Sequence, residues 1–132
     1  MTGLKTAEVS RLAGVTIRQL QWWDEQGILC PKHNGHQRLY REHQAVTASV
    51  LSELKRKGLS MQKIRSLTKS LAVIPRQAFP LDEVLVLLLS DGSKVRVTKD
   101  PIEAIRILSR SEKPMVLVRL ADHWRAVINF RQ

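Results

Sequence analysis

Cysteine, acidic side chains and long apolar runs are all scarce in this sequence, and each scarcity closes off a class of function. Cys30 stands alone, so no disulfide can form within the chain, and a reducing cytoplasm is the expected compartment. No apolar run approaches the ~18 residues that a membrane span needs. Met1–Arg11 has no charged stretch leading into an apolar one, so no secretory leader is expected. Internal repeats and low-complexity tracts are missing too. Without a Gly-rich phosphate loop, a Ser-His-Asp order or a paired metal-ligand motif, no catalytic residue is assigned and no enzyme is expected. Asp82, Glu83, Asp91, Asp100 and Glu103 lie close in sequence, but turn and capping duties account for most of them. His33, His36 and His43 with Cys30 match no tetrahedral ligand spacing, so neither a metal nor another cofactor is expected. Cys30 has no second thiol to resolve a sulfenate and reads as a small packed side chain.

Positive charge and apolar residues are what the chain does have. Its 132 residues are 43% hydrophobic, enough for one domain or two small ones with a real core. Lys and Arg number 22 against 12 Asp and Glu, a formal charge of +10. Residues 1–80 hold 13 basic and five acidic side chains, whereas residues 81–132 hold nine and seven. The positive field therefore belongs to the first part, where it suits a polyanion such as nucleic acid.

Helix signals fill that first part. Thr6 is placed to cap a short helix with Val9, Leu12 and Ala13 on one side, and Gly14 to end it. Thr16 caps a second helix reaching about Gln26, with Gly27 as its stop. Pro31, Asn34 and Gly35 mark a loop with a short hairpin. A third helix from Glu42 to about Lys57 turns Val46, Val50, Leu51 and Leu54 inward, and Ser60 caps a fourth with Met61, Ile64, Leu67 and Leu71 as its stripe. Pro75 and Pro80 place a linker at 72–80. Beyond it, Val84–Leu89, then Asp91-Gly92, then alternating Lys94–Val97 spell a hairpin. Asp100-Pro101-Ile102-Glu103 opens a helix with Ile102, Ile105 and Leu108 inward, and Met115–Leu120 and Trp124–Phe130 read as two strands. The expected fold class is α+β, an N-terminal four-helix unit with a hairpin over 1–71 and a small ββαββ module over 81–132.

Two short helices joined by a tight turn are what a protein needs to set a helix into a major groove. At ~100° per residue, Ile17, Leu20 and Trp23 fall together and should pack inward, while Arg18, Gln19, Trp22 and Gln26 share the opposite side. Arginine can bond guanine bidentately, glutamine can pair with adenine, and an indole N–H can donate to phosphate. The same residues also suit a plain solvated helix face, and periodicity alone favours that plainer reading, because such helix spacing often occurs without DNA binding.

A resemblance changes that balance. Val15–Leu29, VTIRQLQWWDEQGIL, closely resembles the V-S/T-x-R-x-L-R-Y-Y-E-x-x-G-L-L recognition-helix signature of MerR-family regulators. Pro31 followed by Gly35-His36-Gln37-Arg38-Leu39-Tyr40 looks like that family's wing, and Leu54–Ile64 is similar to its L-x-x-x-G-[FL]-S-L-x-x-I junction. The likeness covers about residues 4–71 with every element in order. It implies a winged helix-turn-helix transcription regulator of bacterial type that binds double-stranded DNA, associated with the nucleoid, with RNA polymerase as a further partner. It implies Thr16, Arg18 and Trp22 at the DNA from the helix, and Arg38 and Tyr40 from the wing; the sorting of faces adds Gln19. Gln21 stands where the family has arginine, and Trp-Trp-Asp replaces Tyr-Tyr-Glu, so one charge-assisted phosphate bond is lost.

Family members dimerise through a long helix after the fourth, and Pro75 stands where it should run. A homodimer through residues 81–132 is therefore expected, burying Val84–Leu89 and Met115–Leu120 across a two-fold axis. The alternative is a folded monomeric module capped by the fourth helix or the linker, and effector binding stays open there, though no residue set identifies a ligand. Two rivals stay open on sequence: a DNA-architectural or recombination-directing factor without site preference, and a protein-interaction adaptor.

Overall fold

The computed structural model describes residues 3–67 and 87–131, with no side-chain description for 87–89 and 131. It is a mixed helix and sheet fold. The linker expected at 72–80, the start of the Val84–Leu89 run and Leu71 lie outside the described residues.

Strand β1 (Leu4–Lys5) leads into helix α1 (Thr6–Ala13), then α2 (Ile17–Glu25). The N-cap of α1 is Lys5 and not Thr6, because Glu8 Oε1 accepts the Lys5 N–H at 2.9 Å and pulls the helix start back one residue. Gly14 closes α1 in the left-handed region (φ 71°), which spares the turn into α2 the Cβ clash of another residue. Strands β2 (Lys32–Asn34) and β3 (Gln37–Tyr40) form a hairpin in register Asn34 to Gln37, and β1 pairs on the far side of β3 with Leu4 opposite Tyr40. Of the two loop residues, only Gly35 has positive φ (65°), the sign pattern of a II′ turn that matches strand twist.

Helix α3 (Glu42–Arg56) is the central rod. Val46, Val50, Leu51 and Leu54 are all buried on it, together with Leu20 and Trp23 of α2 and Val9 of α1. Residues 61–67 are helical (α4) and add Ile64 and Leu67 to the same core, with Ser60 Oγ accepting from the Lys63 N–H.

The second part begins with β4 (Leu87–Ser90) and β5 (Val95–Thr98), antiparallel as the hairpin signal predicts, followed by α5 (Pro101–Arg110). Asp100 caps α5 by accepting the Ile102 N–H at 3.0 Å, and Pro101 takes the first turn. Strand β6 (Val116–Arg119) pairs with β4, so the sheet order is β5-β4-β6. Trp124–Phe130, expected to be a strand, is instead helical within α6 (Leu120–Arg131), so these elements run ββαβα and not ββαββ. The reason is a stripe that begins earlier than the segment: Leu120, Ala121 and Val127 are buried at helical spacing, with Trp124 packed beside them.

Two further expectations are corrected. Ile102, Ile105 and Leu108 of α5 face outward, at 67%, 65% and 39% exposure, and Ala104 with Ile107 makes the inward contact. The Met115–Leu120 strip is occupied within the chain, since Val118 and Leu120 join the core of the first part and Met115 and Leu117 pack against Ala104. Helix α6 lies along α3 and α1. His123 Nε2 stands 2.5 Å from Glu53 Oε1, Lys57 Nζ reaches Glu53 Oε2 and donates to the Leu117 carbonyl, both at 2.7 Å, and the Arg11 guanidinium sits 5.9 Å from the Phe130 ring. None of the described helices is long and apolar enough to cross a membrane.

Candidate nucleic-acid interface

Helix α2 owes its start to a reciprocal cap. Thr16 Oγ1 accepts the Gln19 N–H at 3.0 Å, and Gln19 Oε1 accepts the Thr16 N–H at 2.9 Å. Two of the expected DNA residues therefore already serve the helix, and Gln19 offers a base its amide N–H groups more readily than its carbonyl. Arg18 is exposed and makes no ion pair or hydrogen bond among the described residues. Ile17, expected inside, is 44% exposed, because at the first turn it projects past the end of the core that Leu20 and Trp23 enter. An aliphatic group there can meet a thymine methyl.

Trp22 is also exposed (39%), and it is not alone. The Arg65 guanidinium of α4 lies 5.9 Å from its ring centre and donates to Gln26 Oε1 at 2.7 Å. Arg65 was not legible as a site residue, since nothing in the spacing of the fourth helix tells which earlier helix it meets. Sequence reasoning also passed over Asp24. Its Oδ2 takes Arg38 Nε at 2.8 Å and His33 Nε2 at 2.7 Å, which fastens the β2–β3 hairpin to the end of α2. Burial pushes the Asp24 carboxyl up, but the hydrogen bonds and charges of Arg38 and His33 more than reverse this and hold it below its usual value. Arg38 spends its Nε on that bond, and its terminal nitrogens keep their capacity for a phosphate.

Tyr40 is withdrawn from the set. It is fully buried, and its hydroxyl meets no hydrogen-bond partner of normal geometry. Burial raises its pKa, outweighing the pull of the Arg38 cation and the nearby Thr6 side chain. As the inward-facing residue opposite Leu4, its ring has a packing role. Cys30, expected packed, is exposed, with Sγ 3.6 Å from the Asp24 carbonyl. Partial burial and the Asp24 carboxylate push its thiol up, so it is a poor thiolate at neutral pH.

One edge of the molecule thus gathers Thr16, Arg18, Gln19, Trp22 and Arg65 on and beside α2, with Arg38 fixed to the end of that helix and Tyr40 inside. Among known proteins, residues 4–71, just over half the chain, match the model of the MerR HTH family of regulatory proteins. Relatives in Mycobacterium bovis and in two strains of Mycobacterium tuberculosis, each named an uncharacterised HTH-type transcriptional regulator, are 26% identical over 113 residues. The match takes in 82% of this chain and 48% of each relative, so the chain spans about half the length of the curated relatives it matches. The capped second helix, the hairpin bound to its end and the matched family model agree: this chain belongs to the MerR HTH family.

Proposed function

We propose that the chain is a sequence-specific regulator of transcription that binds double-stranded DNA, with α2 in the major groove and the β2–β3 hairpin as a wing along the phosphates. Residues 1–71 are the DNA-binding unit in this reading, a four-helix winged helix-turn-helix. The observation that carries it is Arg18: an exposed cation without a partner among the described residues, on a firmly capped helix beside the Trp22–Arg65 pair. Arg18 then reads a base, while Arg65, Trp22 and the free end of Arg38 hold the backbone. Arg18→Ala is expected to cost about 1–3 kcal/mol of discrimination at one base pair in a competition assay against the preferred site. Unchanged discrimination would sink the assignment, and salt-dependent binding with no preferred site at all would favour an architectural factor.

Reading an inverted repeat requires two copies, and the pairing surface we propose within residues 81–132 is α5. Its outward Ile102, Ile105 and Leu108 are spaced three apart. A two-fold axis at Ile105 sets Ile102 against Leu108 of the partner subunit, so one stripe complements itself.

A further inference from the structure

A cleft of about 400 Å³ opens between α5 and the β4–β5 turn. Lys94, Arg96, Arg106 and Arg110 all line it, and none of these side chains makes an ion pair or hydrogen bond among the described residues. Two carboxylates also reach the cleft, but each is engaged by its own neighbours. Asp91 Oδ1 accepts from the Ser93 N–H and hydroxyl at 2.9 and 2.7 Å and from the Lys94 N–H at 3.2 Å, and Glu103 Oε2 accepts from the Thr98 hydroxyl at 3.0 Å. Four cations against two carboxylates leave the hollow net positive, and none of the four is ion-paired among the described residues, so they repel one another and a multivalent anion relieves that repulsion. Three of them are arginines, whose planar forks suit phosphate bidentately. Ile107 and Met115 give the cleft an apolar wall, packed on Ala104. The volume admits a nucleotide-sized molecule and excludes a duplex.

We propose that this cleft is a binding site for a small phosphate-bearing metabolite with an apolar or aromatic portion, its phosphates held by Lys94, Arg96, Arg106 and Arg110. The site is separate from the α2 face and does not depend on the DNA reading.

Calorimetric titration of the full chain without DNA, at fixed ionic strength, tests it with two probes, pyrophosphate and ATP. Saturable binding of one molecule per chain is expected, tighter for ATP because its base meets the apolar wall. The double variant Arg96→Ala/Arg106→Ala should weaken it at least about tenfold while melting like the parent, because both are exposed. A second double variant, Arg18→Ala/Arg65→Ala, should leave it within about twofold, because those cations sit elsewhere. Amide shifts in an NMR titration should fall in residues 91–115, a readout that stands even if a variant folds poorly. Absence of saturation, equal loss in both variants, or shifts confined to α2 would overturn the proposal. So would loss of DNA affinity with a flatter salt slope in Arg96→Ala/Arg106→Ala, which would make the cleft part of the DNA surface. Because no DNA enters the titration, failure here leaves the regulator reading intact, and failure of site-specific DNA binding leaves this site intact.

Discussion

Tyr40 shows how one buried oxygen separates a contact from a packing residue. A phenol hydroxyl shut away from water without a good hydrogen bond contributes nothing to the fold and is out of reach of a phosphate. Tyr40→Phe is therefore expected to leave DNA affinity unchanged and to keep stability equal or raise it by up to about 1 kcal/mol in urea unfolding. A clear drop in DNA affinity with unchanged stability would return the hydroxyl to the interface. The family resemblance placed Tyr40 at the DNA because it records which residue types recur, and a recurring tyrosine serves a core equally well. Arg38 was legible as a hairpin cation, whereas its bond to Asp24, 14 residues away in sequence, was not. Only the fold brings those two together.

Helix ends were the most legible elements, because the groups that make them are adjacent in sequence. Thr16 and Asp100 cap their helices as the sequence predicts, whereas Thr6 yields its expected capping place to Lys5. Thr16→Ala should cost about 1 kcal/mol of stability by denaturant unfolding. Thr16→Asp should keep the cap yet weaken DNA binding, since its carboxylate would face phosphate, and full affinity in that variant would place the end of α2 away from DNA. Partners that cover a helix were not legible. Ile102, Ile105 and Leu108 announce an apolar face correctly, but periodicity says nothing of what meets it, and within the chain the small Ala104 takes the sheet-facing position. Trp124–Phe130 misled because its aromatic and β-branched residues suit a strand, and the helical stripe shows only when counted from Leu120.

In the whole molecule, the two parts share one hydrophobic core, and a polar clasp sits over the seam. Burial pushes the Glu53 carboxyl up, but the Lys57 and His123 hydrogen bonds and charges more than reverse this and lower its pKa. A carboxyl with a lower pKa when folded binds fewer protons than in the unfolded chain. Its contribution is complete above the unfolded value and fades as pH falls through the folded one. Glu53→Gln should thus cost about 1.5–3 kcal/mol at neutral pH, with the gap from the parent closing as pH falls through the carboxylate range. A gap constant down to about pH 3 would mean that Glu53 acts by packing alone. The proposed pairing is tested on the same full chain: the parent should sediment as a dimer and Ile105→Glu as a monomer. A parent that sediments as a monomer would remove α5 as the pairing surface.

The clasp has a mechanical consequence. Helix α6 and strand β6 grip α3 by side chains, in addition to the covalent link that residues 68–86 make between the two parts. Severing the peptide anywhere along that stretch should then yield two fragments that travel together through a sizing column, held by Val118, Leu120 and Val127 against the rod.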